Sequence, residues 1–163
     1  MQTKRLTRDA MLTGVALIIF IVEAQIPPLT SVPGIKMGLA NIITVYAAFA
    51  IGPADAALIL AARILLGSVV AGNLSTLMYS AAGGLLCLLA MLGLRRVLSE
   101  SQLWVASVIG AAAHNLGQIA VAVAVTRTPA LLAYLPVLLM SGMIAGLFTG
   151  LCAQALVKRM SRK

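Results

Sequence analysis

The chain has 163 residues, of which 61% are apolar and only 10% are charged. A soluble domain has roughly 45–50% apolar and about 25% charged residues, so this composition excludes a water-soluble fold and predicts a helical membrane protein. The formal net charge of +8 would suggest nucleic-acid binding in a soluble protein. Here the basic residues cluster at the chain ends and in short loops, so we expect no nucleic-acid partner.

Apolar runs separated by turn residues predict an all-α bundle of six membrane helices in one integral membrane domain that covers residues 1–163. Six spans of about 20 residues would use about 120 residues, which leaves no room for a separate soluble domain. The first run follows basic residues, as in a signal peptide, but continues to Pro27-Pro28 without a cleavage site, so we expect it to be retained. The predicted helices lie at about 9–26, 38–51, 54–71, 74–94, 103–125 and 130–157.

The distribution of basic residues predicts the orientation in the membrane. With both termini in the cytoplasm, two of the 12 Lys and Arg residues, Lys36 and Arg127, lie outside, and Arg63 lies within the third helix. The other nine face the cytoplasm: Lys4, Arg5, Arg8, Arg95, Arg96, Lys158, Arg159, Arg162 and Lys163. This asymmetry follows the positive-inside rule, so we expect a multi-pass protein of the cytoplasmic membrane, in contact with the lipid bilayer, with both termini inside.

Polar side chains within and beside the predicted helices are candidates for a solute site. A charge near a helix centre costs about 2.5–3.5 kcal/mol on insertion scales, so it must face a partner, a cavity or the membrane surface. Arg63 and His114 lie halfway along the third and fifth helices, and Gln118 lies one turn from His114. The predicted substrate-binding residues are Glu23, Lys36, Asn41, Arg63, Asn73, Tyr79, His114, Asn115 and Gln118.

Two interpretations of these side chains stay open. In the structural one, Glu23 and Arg63 form a buried ion pair and His114 is a satisfied core residue, so that together they fix the register of the helices. In the functional one, they line a polar pocket for a small solute. The cationic side chains outnumber Glu23, and this excess favours an anionic solute.

The residue types give little support for catalysis. The chain has two aspartates, Asp9 and Asp55, whereas metal-bound diphosphate chemistry needs clustered carboxylates. No phosphate-binding loop and no Ser/His/Asp set is present in the sequence. Cys87 and Cys152 lie in apolar runs without metal-ligand spacing, so we interpret both as packing residues. We therefore expect no enzymatic activity of its own, no cofactor and no metal site.

Five motifs carry a similarity that extends over nearly the whole chain: PGIKMGLAN at 33–41, RILLGS at 63–68, GNL at 72–74, YSAAGG at 79–84 and AHNLGQ at 113–118. Together they resemble the Gx transporter family, which is also labelled heptaprenyl diphosphate synthase component I. That family is similar in build to the S components of energy-coupling-factor transporters, which are six-helix bundles that bind solute near the outer face. The resemblance implies a solute-binding bundle whose use of ATP would depend on separate partner ATPases.

Small residues on the first helix suggest where a partner would bind. S components dock on a membrane coupling subunit through small residues one turn apart on this helix, and Ala10 and Gly14 have that spacing here. The resemblance therefore implies docking of a coupling subunit at this position. The alternative is that Ala10 and Gly14 pack against the glycine row of the sixth helix, which consists of Gly142, Gly146 and Gly150.

Three functions remain open from the sequence. The leading hypothesis is a solute-binding component of a membrane transport system, with an unknown substrate. The alternative is a noncatalytic membrane subunit associated with heptaprenyl diphosphate synthase or quinone metabolism. The third is a membrane scaffold without a ligand.

Overall fold

A computed structural model describes residues 2–26 and 35–160. Within these residues the chain is helical and contains no strand, which confirms the expected all-α bundle of six helices. The helices are α1 (Gln2–Glu23), α2 (Asn41–Tyr46), α3 (Pro53–Ala71), α4 (Leu74–Leu94), α5 (Leu103–Thr126) and α6 (Leu135–Met160). A π-helical segment, Ala47–Ile51, continues α2, and short 3-10 turns, Glu100–Gln102 and Pro129–Tyr134, precede α5 and α6. The Pro27-Pro28 turn, the first two residues of the 33–41 motif, and Arg162 and Lys163 lie outside the described residues.

Four helical segments are long and apolar enough to cross a membrane: Pro53–Ala71, Leu74–Leu94, Glu100–Thr126 and Pro129–Arg159. α2 is different, because its six residues and the five of the π-helical segment form a shorter apolar helix. At about 1.5 Å per residue these would rise about 16 Å, roughly half of the ~30 Å hydrocarbon core of a bilayer. The second predicted span, at 38–51, is therefore only partly helical.

α1 begins at Gln2, several residues before the predicted start near residue 9, and its N-terminal turns are tied to α3 by ion pairs. The guanidinium groups of Arg5 and Arg8 contact the two carboxylate oxygens of Asp55 at 2.5 and 2.9 Å. Arg8 also contacts Asp9 at 2.9 Å. The sequence pattern placed the boundary at Asp9 because the preceding residues are charged, and these ion pairs explain how that charged stretch extends the helix.

The glycine row of α6 packs directly against α5. A Cβ atom on Gly146 would lie 2.8 Å from the Cβ of Ala111, so the two helices touch through their backbones. Next to this contact, the buried hydroxyl groups of Ser107 and Thr149 lie 3.1 Å apart, within hydrogen-bond distance. By contrast, a Cβ on Gly14 would meet nothing within 4 Å. The alternative that Gly14 packs against the glycine row is therefore wrong, because that row is already occupied by α5.

Candidate functional site

A polar cluster lies at the centre of the bundle, around α2. This short helix contacts each of the other five helices, so a side chain at its start is surrounded by protein. Asn41 is the first residue of α2 and is 5% exposed. Four more side chains of the cluster, from α1, α3 and α5, are exposed by 4% or less: Glu23, Arg63, His114 and Gln118.

A non-helical segment at residues 35–40, here called the strap, runs into α2 and lies against this cluster. The backbone N–H of Lys36 donates to Oε1 of Gln118 at 3.3 Å, and that of Gly38 donates to Oε1 of Glu23 at 2.5 Å. The backbone of Leu39 also hydrogen-bonds to the Glu23 carboxylate. A buried backbone donor outside a helix needs such a partner. Two of the predicted site residues, Glu23 and Gln118, therefore hold the strap in place.

Two glycines allow the backbone to approach His114 from opposite sides. Gly38 has a φ of +85°, a conformation that favours glycine, and a Cβ there would lie 2.9 Å from Cδ2 of His114 and 2.8 Å from Nδ2 of Asn41. On the other side, a Cβ on Gly83 of α4 would lie 2.8 Å from Nδ1 of His114. The imidazole is therefore held between the strap and α4, with Asn41 beside it.

Lys36 is the cation of the strap. Its Nζ lies 3.4 Å from the centroid of the Phe20 ring, a cation–π contact that fixes the side chain over α1. The ring in turn packs against Gly67 of α3, where a Cβ would lie 3.2 Å from it.

Glu23 and Arg63 do not form the ion pair of the structural interpretation. Arg63 interacts electrostatically with Glu23, but the two are not among the ion pairs found within 4 Å in the described parts of the chain. The Glu23 carboxylate instead binds the backbone of the strap. The buried guanidinium therefore has no carboxylate in direct contact within residues 2–26 and 35–160.

Several buried polar atoms of the cluster lack hydrogen-bond partners among the described residues. They are Nδ2 and Oδ1 of Asn41, Nη2 of Arg63 and Nδ1 of His114. Leaving a buried polar group unpaired costs about 1–3 kcal/mol, and more for a charged group, so native structures contain few of them. Such a concentration around one point is typical of a site that receives a ligand or ordered water.

The structure places the remaining predicted site residues around or away from this cluster. Nδ2 of Asn115 donates to the backbone oxygen of Leu138 at 2.6 Å, so this side chain faces α6. Tyr79 is buried in an apolar cluster that includes Ile35 of the strap. Asn73 is exposed and caps α4 by accepting a hydrogen bond from the backbone N–H of Thr76 at 2.7 Å. A solute-binding role for all nine residues stays a prediction. Six of them lie together in the cluster and the strap: Glu23, Lys36, Asn41, Arg63, His114 and Gln118.

The sequence pattern did not reveal the role of Phe20, and it did not place Gly38 and Gly83 beside His114. Phe20 looked like any apolar residue of α1, and its contact with Lys36 has no signature in the sequence. The glycines did carry a signal as small residues that permit close packing, since Gly38 lies two residues after Lys36 and Gly83 belongs to a glycine pair in the middle of α4.

The sequence model of the family described as heptaprenyl diphosphate synthase component I matches residues 12–156. This range contains the whole polar cluster and nearly all of the six helices. The chain belongs to this family. Among curated proteins and solved structures, none matches the chain.

We expect Glu23→Ala to release the strap of this component I protein. The loss of a hydrogen bond to a charged acceptor costs about 1.5–3 kcal/mol, so amide hydrogen exchange in a peptide spanning 35–42 should accelerate at least about tenfold. Glu23→Gln keeps an acceptor oxygen and should show a smaller increase. The control is Glu100→Ala, an exposed site in the turn before α5. Unchanged exchange in Glu23→Ala would contradict the role assigned to this carboxylate.

Proposed function

We propose that this component I protein is the solute-binding component of a membrane transport system. The observation that carries the proposal is a set of polar atoms on Asn41, Arg63 and His114 that are buried at the centre of an apolar bundle and have no hydrogen-bond partner among the residues that the structure describes. Ionisable residues inside a membrane are costly and usually mark a solute or ion pathway.

The broken second span supports the same function. The non-helical residues 35–38 can cover at most about 13 Å at about 3.3 Å per residue, and the helix from Asn41 to Ile51 adds about 16 Å. Together they can cross a ~30 Å core. In transporters, such discontinuous spans line solute sites, because non-helical backbone at membrane depth is tolerated only where protein or a cavity surrounds it. Here the non-helical part is the strap, and it faces His114 and Asn41.

The family description favours a second candidate, a noncatalytic membrane subunit of heptaprenyl diphosphate synthase. The word "component" implies a second component, which would carry the catalytic carboxylates that this chain lacks in sequence. In that case the polar cluster would bind the head group of a prenyl compound or contact the partner.

Identification of co-purified small molecules separates the two candidates. The protein is purified in a mild detergent and denatured, and the released compounds are analysed by mass spectrometry. A water-soluble solute at up to one molecule per chain would support the transport function. A prenyl compound would support the synthase subunit. Absence of any bound compound from both classes would contradict the solute-binding function.

We further propose that both termini face the cytoplasm. Arg95 and Arg96 follow α4, and Lys158 and Arg159 end α6, so all four would lie on the side of the N-terminus in a bundle with an even number of crossings. Reporter fusions after Ser99 and after Lys163 should both give a cytoplasmic signal. A periplasmic signal from either fusion would contradict this orientation.

The α1 surface at Ala10 and Gly14 is the proposed docking site for a membrane coupling subunit with separate ATPases. Both residues are exposed, and Gly14 has open space at its Cβ position. Two small residues one turn apart allow a helix of another subunit to come close to the backbone. Because none of the described residues fills the space beside Gly14, a helix of a partner could approach there.

A further inference from the structure

We infer the chemical class of the solute: a small organic anion that also carries N–H or O–H hydrogen-bond donors. This inference rests on the proposed function, because it describes the ligand of the same site. It follows from the charges of the cluster and from the kinds of atoms that lack partners.

The charges favour an anion. Arg63 and Lys36 bring two positive charges to the cluster, whereas Glu23 brings one negative charge. The Glu23 carboxylate accepts a hydrogen bond from the backbone of the strap. Nη2 of Arg63 is buried and has no hydrogen-bond partner within residues 2–26 and 35–160, and the residue is 4% exposed. A buried guanidinium is stabilised by an anion that accepts from its planar fork, and a carboxylate fits this geometry. A cationic solute would instead be repelled by both Arg63 and Lys36.

The unpartnered amide adds a requirement for donors. Whichever way the side-chain amide of Asn41 is turned, it offers one acceptor oxygen and one donor nitrogen, and both atoms are buried without a partner among the described residues. A donor on the ligand would satisfy its oxygen. Asn41 and His114 lie side by side against Gly38, so a ligand that reaches one of them reaches both. A simple anion without N–H or O–H groups would leave the amide oxygen unpaired.

A prenyl diphosphate meets only half of this pattern. Its diphosphate can accept from Arg63, but its hydrocarbon chain offers no donor to Asn41. The cluster therefore fits a hydroxy acid, an amino acid derivative or an amide-containing acid better than it fits an isoprenoid. This preference separates the inference from the alternative function of the family.

The test is a thermal-shift screen of the purified full chain in detergent against a library of water-soluble metabolites, with farnesyl diphosphate added. The library is divided by two properties, namely whether a compound has an acidic group and whether it has N–H or O–H donors. We expect stabilisation by compounds that have both. For the best of these acids, its carboxamide and its donor-methylated analogue are then titrated. Each change should weaken binding at least tenfold in the wild type.

Variants assign the effect to the two side chains. In Arg63→Gln the preference for the acid over its carboxamide should fall at least tenfold, whereas Arg63→Lys should retain part of it. In Asn41→Leu the preference for the donor-bearing acid over its methylated analogue should disappear. If Asn41→Leu does not fold, Asn41→Asp provides the measurement, because it keeps the acceptor and should keep this preference.

The outcomes distinguish the inferred class of solute from the proposed transport function. Binding of a neutral or cationic solute that depends on Arg63 or His114 would overturn the inferred class but retain the transport function. Stabilisation by farnesyl diphosphate alone would overturn both in favour of the synthase subunit. No stabilisation by any compound, together with no compound co-purified from cells, would overturn the solute-binding function itself. Equal binding of the acid and its carboxamide by the wild type would overturn the anionic assignment.

Discussion

Arg63→Leu is expected to abolish solute binding while leaving the protein at least as stable to heat as the wild type. Removing one partner of a buried charge interaction costs about 2–5 kcal/mol of binding, which corresponds to a loss of affinity of about thirtyfold or more. Stability moves in the other direction, because the guanidinium is buried without a carboxylate in contact among the described residues. Replacing a buried charge that has no contacting counter-charge by an apolar side chain removes its desolvation cost, so the thermal midpoint should not fall.

The control for this prediction is Arg96→Leu, the same substitution at an exposed position after α4. Both variants are compared by thermal unfolding in detergent and by titration with the solute identified from co-purification. Arg96→Leu should bind like the wild type. If Arg63→Leu lost stability and kept its affinity, Arg63 would be a structural residue, and the binding site would lie elsewhere.

Gly117→Ala is expected to destabilise the bundle strongly for a change of one methyl group. A Cβ at this position would lie 2.7 Å from the backbone oxygen of Ala82 and 2.9 Å from the backbone nitrogen of Gly83. A backbone cannot rotate away as a flexible side chain can, so α4 and α5 must separate. Overpacking of this kind costs about 1–3 kcal/mol. Because Gly83 contacts His114, the displacement should also weaken solute binding.

Gly93→Ala is the matched control, since it makes the same change near the end of α4, where a Cβ would meet nothing within 4 Å. Alanine is intrinsically better than glycine in a helix by about 1 kcal/mol, so this variant should be as stable as the wild type or slightly more stable. Thermal unfolding midpoints of the two variants give the comparison. Similar midpoints for Gly117→Ala and Gly93→Ala would show that the close approach of α4 to α5 is not essential.

The long helices could be predicted from the sequence because their signal is strong and local. Runs of about twenty apolar residues bounded by Gly, Pro or charged residues gave the ends of α3 and α4 closely, at 54–71 and 74–94 against Pro53–Ala71 and Leu74–Leu94. The early start of α1 was not visible, since it depends on ion pairs with Asp55, 47 residues after Arg8. Contacts between distant residues of this kind leave no periodic pattern.

Part of the candidate site could also be predicted, since Arg63, His114 and Gln118 are rare polar residues in apolar helices. Their partners could not be predicted, because the central contacts involve backbone groups. The sequence suggested that Glu23 would pair with a cation, whereas its carboxylate binds the backbone N–H of Gly38. Asn73 is polar like the site residues, but its side chain caps the N-terminus of α4. Hydrogen bonds to the backbone depend on where a turn lies in space, which composition does not specify.

The central claim is that the buried polar cluster binds one solute molecule. Native mass spectrometry of the purified protein, released from a mild detergent, measures this directly as the mass bound per chain. If the cluster binds the solute, the wild type should carry one water-soluble molecule per chain. Arg63→Leu and His114→Leu should each lose it, whereas Arg96→Leu should keep full occupancy. Equal occupancy in the wild type and in both cluster variants, or no bound solute in the wild type, would contradict it.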